Sequence, residues 1–381
     1  TGAAADCLHA KDQVRLVAVA DAFEDRARSA LARIKQEYPD RVDVPPDRVF
    51  VGLDAYKKAI DCGVDLVLMA SPPGFRPAQY AYAIQQGKHV FMEKPCCTDA
   101  AGYRSLVETN KLADAKNLKV VVGLQRHHQA GYIQGIREIH EGKLGEILFL
   151  RVYWNGSGGG GRDLGKRPQN DPNEMAFQIR NWGCFVWLYG DNIVEQHVHN
   201  LDIANWVMAR DGDPKKAHPV EANGMGGRVN QGNYGDIFDH HFVEFTYADG
   251  TKMFSQCRHI PGTWDCVNEF VHGTKGSRTV ATGGGPKLES SNPYHQEHID
   301  LLKAIRKDER LNEGWFGAVS SMTAVLGRMA TYSGQIVRWD DAVAKGPDES
   351  PERLAWDAPP RHLPGPDGRY PMAVPGVYKP Y

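Results

Sequence analysis

Between residues 15 and 123, short apolar runs alternate with segments of helical length, and that alternation restricts the fold more than any other feature. Arg15–Asp21, Val49–Val51, Val64–Ala70, His89–Met92 and Lys119–Gly123 read as strands. Residues 24–38, 53–62, 76–87 and 99–114 carry helical patterning between them. Strands separated by helices of this length pair in parallel and form a doubly wound sheet of the Rossmann type. Ligands of such sheets bind beyond the carboxyl ends of the strands. Asp21, Ser71, Glu93-Lys94-Pro95 and Leu124-Gln125-Arg126 all stand at those ends.

The amino end departs from the usual order of strand, Gly-rich turn, helix, strand and acid. Thr1–Leu8 reads as the first turns of a helix, followed by a strand that ends in Asp21. The first strand and the G-x-G-x-x-G turn are expected upstream of Thr1. An acid at the end of the second strand binds the ribose hydroxyls and repels a 2′-phosphate. Ala22 and Phe23 follow Asp21 with no adjacent arginine. NAD is therefore the expected cofactor, with NADP left open. A helix-capping role is the alternative for Asp21.

Past residue 130 the grammar changes. A helix over 131–142 leads to a strand over Ile147–Trp154, then to a Gly-rich loop from Asn155 to Gly161. That loop lacks a strand–helix frame for phosphate and is read as part of a substrate mouth or a subunit contact. Phe242–Tyr247, the Asp249-Gly250 turn and Lys252–Arg258 form a hairpin pattern. The expectation is an α+β domain with a large, mostly antiparallel open-faced sheet, closed by helices over 294–306 and 314–335. Its uncovered face suggests a homodimer or homotetramer. The division reads as a dinucleotide-binding domain over 1–126, a substrate-binding and oligomerisation domain over 127–345, and a proline-rich extended arm over 346–381.

Composition narrows the partners. The 381 residues include 45 basic and 47 acidic ones, for a formal net charge of −2. Without a basic patch or a long apolar run, neither nucleic acid nor membrane is an expected partner. The seven cysteines are scattered and include no C-x-x-C pair, which argues against a disulfide scaffold or a zinc site. No metal is expected. Cys96 and Cys97, just after the Lys94-Pro95 step, are read as small, partly buried thiols without chemistry, a place near the active site being the alternative.

Two motifs carry a resemblance. The first is Val90-Phe91-Met92-Glu93-Lys94-Pro95. The second is Ile193-Val194-Glu195-Gln196-His197-Val198-His199-Asn200-Leu201-Asp202. With the β/α pattern ahead of them, they make the chain resemble the glucose–fructose oxidoreductase / inositol dehydrogenase / MocA (Gfo/Idh/MocA) family over nearly its whole length. Glu195 stands where that family usually has aspartate, and Arg76 where it often has histidine. The flavour of the second motif is similar to a subgroup from glycan-degrading bacteria, several members of which carry Tat export signals. The compartment is thus cytoplasmic or periplasmic.

The resemblance implies hydride transfer between a ring hydroxyl of a sugar, glycoside or cyclitol and nicotinamide. The protein's part is to orient the partners and handle the hydroxyl proton. Lys94 and His199 are the expected acid/base groups, with Glu195 beside them. Asp21, Ser71, Pro72, Glu93, Lys94 and Gln125 are expected on the cofactor. Arg126, Arg180, Trp182, Tyr189 and Asp202 are expected on the substrate. Trp182 serves equally as a core residue, and Gln125 and Arg126 equally as helix caps. His197, which alternates with His199, is read as structural or as a support behind the site. Two other functions are open, the first of them using the same residues and the second disfavoured by the presence of Lys94 and His199. One is a redox-neutral glycosidase or lyase acting through a transient 3-keto sugar, and the other is a non-catalytic dinucleotide sensor.

Overall fold

The computed structural model describes residues 1–10, 14–156, 164–165 and 173–381. The Gly-rich stretch of Gly158 to Gly161, read above as a mouth or subunit contact, lies outside the described residues. In chain order the first half contains α1 (Gly2–His9), β1 (Val19–Asp21), α2 (Glu24–Glu37), β2 (Val49–Val51), α3 (Ala55–Asp61), β3 (Leu66–Met69), α4 (Arg76–Gln85), β4 (His89–Met92), α5 (Ala100–Ala115), β5 (Val120–Val122) and α6 (Ala130–His140). The second half contains β6 (Ile147–Gly156), α7 (Glu174–Arg180), α8 (Val186–Tyr189), α9 (Asn192–Glu195), α10 (Val198–Met208), β7 (Pro219–Gly227), β8 (His240–Tyr247), β9 (Lys252–His259), β10 (Cys266–Gly273), β11 (Gly276–Thr279), α11 (Pro293–Lys307), α12 (Gly314–Ser333), β12 (Val337–Arg338) and α13 (Trp339–Lys345).

The amino-terminal strands are parallel, as the β/α alternation requires, but they do not form one continuous sheet. β1 pairs with β2, and β3–β4–β5 form a separate three-stranded sheet. The first expected strand also shrinks to Val19–Asp21, with Leu16 bridging only to Val42. β1 and β3 face one another across a cleft of about 1490 Å³. Among the described residues neither facing edge has a ladder partner on that side. Buried aliphatic residues of β4 and β5, with Tyr80 and Ile84 of α4, pack the second of these sheets.

The second domain is a seven-stranded sheet in the order β11-β10-β6-β9-β8-β7-β12. Its ladders are antiparallel except for β6 with β9. The Asp249-Gly250 turn closes the β8–β9 hairpin, with Gly250 at φ +88° supplying a backbone conformation that a side chain resists. Alternate residues Val243, Phe245 and Met253 enter the main core, against Leu201 of α10 and Met322 and Leu326 of α12. The opposite face carries Phe149, Phe242, Phe254, Phe270 and Met225, none of them buried. The stretch after α13 has no helix or strand among its described residues, yet it is tied down. Glu349 lies 3.8 Å from Arg328, and the Tyr370 ring packs edge-on to Phe185 at 4.7 Å.

Candidate active site

Strand β4 ends at Met92, and the next residues turn away through a cis peptide between Lys94 and Pro95. Arg76, buried at the start of α4, donates to the Pro95 carbonyl at 2.5 Å. The Glu93 carboxyl lies beside Gly123, just past β5. A Cβ added to Gly123 would sit 2.4 Å from its Oε2, so a side chain there would displace the carboxyl from this position. Burial raises the Glu93 pKa against the opposing pull of Arg76 and Lys94. Cys96 and Cys97 are fully buried, and burial pushes the Cys96 thiol up to about 12. Neither has thiolate character.

From the other domain, α9 and α10 bring Glu195 and His199 to Lys94. The bend before α9 is set by Asp191, held at φ +81°. Its carboxylate accepts from the Asn192 and Phe238 amides at 2.5 and 2.9 Å and from the Tyr332 hydroxyl. Lys94 Nζ donates to Glu195 Oε1 at 3.0 Å and also to the Glu195 carbonyl. The His199 ring stacks on Trp154 of β6 with centroids 5.7 Å apart, and its Nδ1 is buried with no partner. Burial, then the charges of Lys94 and Arg126, hold its pKa well below the ordinary histidine value. The imidazole is therefore neutral at physiological pH and able to accept a proton.

Arg126, after β5, pairs with the buried Glu269 of β10 and lies 5.4 Å from the Tyr132 ring centroid. Gln125 donates to the Tyr294 hydroxyl at 3.4 Å, and its own Oε1 is buried without a partner. Asp21, Ser71, Pro72 and Trp182 line the cleft between β1 and β3. Asp21 Oδ1 accepts from the Phe23 amide at 2.9 Å, leaving the second oxygen to a ligand. Ser71 Oγ donates to Gln79 at 2.5 Å.

The other residues expected on the substrate are held elsewhere. Arg180 pairs with Asp25 of α2 at 3.0 Å and covers the Phe23 ring at 3.9 Å. Tyr189 is buried and its hydroxyl donates to Asn192 at 3.1 Å. Asp202 accepts from His127 at 2.7 Å and from Ser320 at 2.8 Å, with 1% of its surface exposed. His197 turns from the site, accepting from Ser255 at 2.7 Å and donating to Asn200 at 3.2 Å. The sequence reading missed Trp154, Glu269 and Asn200. Trp154 was visible only as an aromatic in a strand, and Glu269 carried no local signal.

Residues 3–124 match the model of an oxidoreductase family with an NAD-binding Rossmann fold, GFO_IDH_MocA. Residues 3–124 are therefore an NAD-binding Rossmann domain of the kind found in the Gfo/Idh/MocA oxidoreductases. Among curated relatives, inositol 2-dehydrogenase/D-chiro-inositol 3-dehydrogenase of Halalkalibacterium halodurans is 33% identical over 140 residues, covering 36% of each chain. Inositol 2-dehydrogenase 1 of Saccharopolyspora erythraea is 27% identical over 201 residues, 53% of this chain and 54% of that one. The chain thus spans about a third to a half of the length of these relatives. A solved scyllo-inositol dehydrogenase from Lactobacillus casei, with bound NAD(H) and scyllo-inositol, superposes with a TM-score of 0.65. The superposition covers 89% of this chain and 95% of that one at 17% identity, which shows the fold.

NAD is the cofactor of this Rossmann family. Asp21 with one uncommitted carboxylate oxygen suits the adenosine ribose, and Ser71 and Pro72 in the same cleft suit the chain of the dinucleotide. Gln125, with a buried orphan oxygen, suits the amide end. The Gly-rich phosphate turn has no counterpart among the described residues. Those residues also contain no helix long and apolar enough to cross a membrane.

Proposed function

We propose that this protein is an NAD-dependent oxidoreductase that oxidises a secondary ring hydroxyl of a cyclitol or sugar. The observation that carries the reading is the meeting of Lys94, Glu195 and a neutral, unpartnered His199 where the two domains close. NAD, when bound, supplies the hydride acceptor. The chain's own residues manage the hydroxyl proton. Lys94, clamped by Glu195, offers its one remaining N–H donor to the substrate oxygen and stabilises the charge that builds there. His199, uncharged and with a free ring nitrogen, receives the proton. The Trp154 face beside it suits the C–H surface of a ring. The inositol dehydrogenases among the relatives support a cyclitol or a similar ring as substrate.

Purified protein with NAD and a panel of inositols and neutral aldoses is the test, read as NADH formed per substrate consumed. Stoichiometric NADH supports net oxidation. Substrate cleavage without net NADH replaces it with the redox-neutral lyase reading, and NAD binding without any conversion leaves the sensor. The outer face of the large sheet, with Phe149, Phe242, Phe254, Phe270 and Met225, is assigned to contact with a second copy of this chain.

A further inference from the structure

Around His199 the charges of the two domains are paired off. Lys94 meets Glu195, with side chains 14% and 18% exposed. Arg126 meets Glu269, with side chains 11% and 1% exposed. The buried Arg76 guanidinium donates to the Pro95 carbonyl and has the Glu93 charge to oppose its own. An unpaired arginine in a sugar site would be a fork for a carboxylate or phosphate. Here that capacity is spent within the protein.

Glu269 is placed to enforce this. It stands on β10 opposite Val152, facing α10. Besides Arg126 it accepts from the Tyr132 hydroxyl at 2.9 Å and from the Asn200 amide. Asn200 Oδ1 accepts from His197, whose other nitrogen accepts from Ser255. One buried carboxylate thus fixes an arginine from the first domain and the first turn of α10, next to His199. Its three donors come from three elements, so it cannot swing out to follow a ligand.

We propose that Glu269 is a specificity-determining positioning residue: by neutralising Arg126 it makes the site accept uncharged polyols and reject hexuronates and sugar phosphates. The proposal rests on the carbinol-oxidation reading. An incoming anion would meet no net positive charge, would lie near two carboxylates, and would lose its hydration without a partner.

The test compares wild type, Glu269→Gln and Glu269→Gln/Arg126→Met with NAD, on the best neutral substrate of the first screen and on glucuronate. Gln keeps acceptor and donor capacity but unmasks the guanidinium. The expected result is a rise of about tenfold or more in the glucuronate-to-neutral ratio of kcat/KM. That gain should weaken in salt and vanish in the double variant. An unchanged ratio, with both substrates losing alike, overturns the proposal and leaves Glu269 a structural residue. Glu269→Asp, which withdraws the carboxylate by one methylene, should move the ratio the same way by less if the Gln variant does not fold. Stabilisation against heat by glucuronate is read in the same proteins and needs no turnover. A gain confined to Glu269→Gln supports the proposal, and wild type stabilised by glucuronate as strongly as by the neutral ligand overturns it. Absence of turnover in wild type would sink the oxidation reading alone.

Discussion

His128 and His199 are both buried, at 5% and 8% exposure, yet their pKa values are pushed in opposite directions. Burial by itself would strip the proton from each. Against that, His128 lies 2.7 Å from Asp300 and 3.0 Å from Glu313, and these carboxylates push its pKa up to about 10. His199 has cations for neighbours, Lys94 and Arg126, which add to the effect of burial. Partner charge, not depth, decides the state. His128 is a charged clamp joining the end of β5 to α11 and to the start of α12. His199 is a neutral base with an unused nitrogen beside a lysine. The same residue type therefore makes structure in one region and is available for chemistry in the other.

The largest expected effect breaks the comparison on the chemical side. Lys94→Met and His199→Asn should each lower kcat/KM by about 10²- to 10⁴-fold, the range for loss of a positioned acid or base. Melting temperature should move far less than activity. The kcat/KM profile of wild type should fall as pH drops and His199 takes up a proton, and that acid limb should flatten in His199→Asn. Full activity in His199→Asn would make His199 another buried neutral ring, like His298, whose pKa burial holds down at about 3.

On the structural side, His128→Leu should destabilise the fold by about 2–3 kcal/mol, read by calorimetry. Removing the cation leaves the Glu313 carboxylate, with 14% of its side chain exposed, without its main counter-charge. Full loss of a buried pair costs about 3–5 kcal/mol, and Asp300, 35% exposed, retains water. A loss below about 0.5 kcal/mol would mean that the clamp is only a surface contact.

These contrasts show how much could be read from sequence. The β/α alternation placed Asp21, Ser71 and Lys94 at strand ends because each local pattern fixes where its own strand stops. The meeting of Lys94 with Glu195, 101 residues away, followed from two motifs and the resemblance they carry. Local spacing failed where a helix is buried all round. Asp202 is one turn from His199, yet α10 has partners on every side and Asp202 faces His127 and Ser320. Arg180 likewise found Asp25 and Phe23 on α2. Glu269, 143 residues from Arg126, depends on the register of β10 against β6, and no local pattern carries that. The break between β1 and β3, by contrast, agrees with the departure from the usual Rossmann order read at the amino end.

The two histidine environments also predict opposite pH limbs. His128 has a folded-state pKa above the unfolded one, so its stabilisation is full below about pH 6.5. That contribution is lost as pH rises through about 10. His197 and His259 have folded pKa values of about 3 and 4, with burial the main cause. The unfolded chain takes up protons there below about pH 6.5, so stability falls with pH across that window. A plot of melting temperature against pH should be a dome, and His128→Leu should remove part of its alkaline limb and none of its acid limb. A variant that lost both limbs equally would show that the clusters are coupled.

The smallest effect on the folded chain belongs to the outer face of the large sheet. Phe242 and Met225 stand opposite one another in the β7–β8 ladder and are 36% and 70% exposed. Replacing both with lysine removes little that the single chain buries, so the stability of a monomer should change by no more than about 0.5 kcal/mol per site. Association should respond strongly, because two like charges would lose their water at the centre of an apolar contact. Light scattering on wild type should give a multiple of the chain mass and on the double variant the chain mass itself. A monomeric wild type would remove the outer face from the argument. It would also leave His199 and its paired charges as properties of one chain, unaffected by any neighbour.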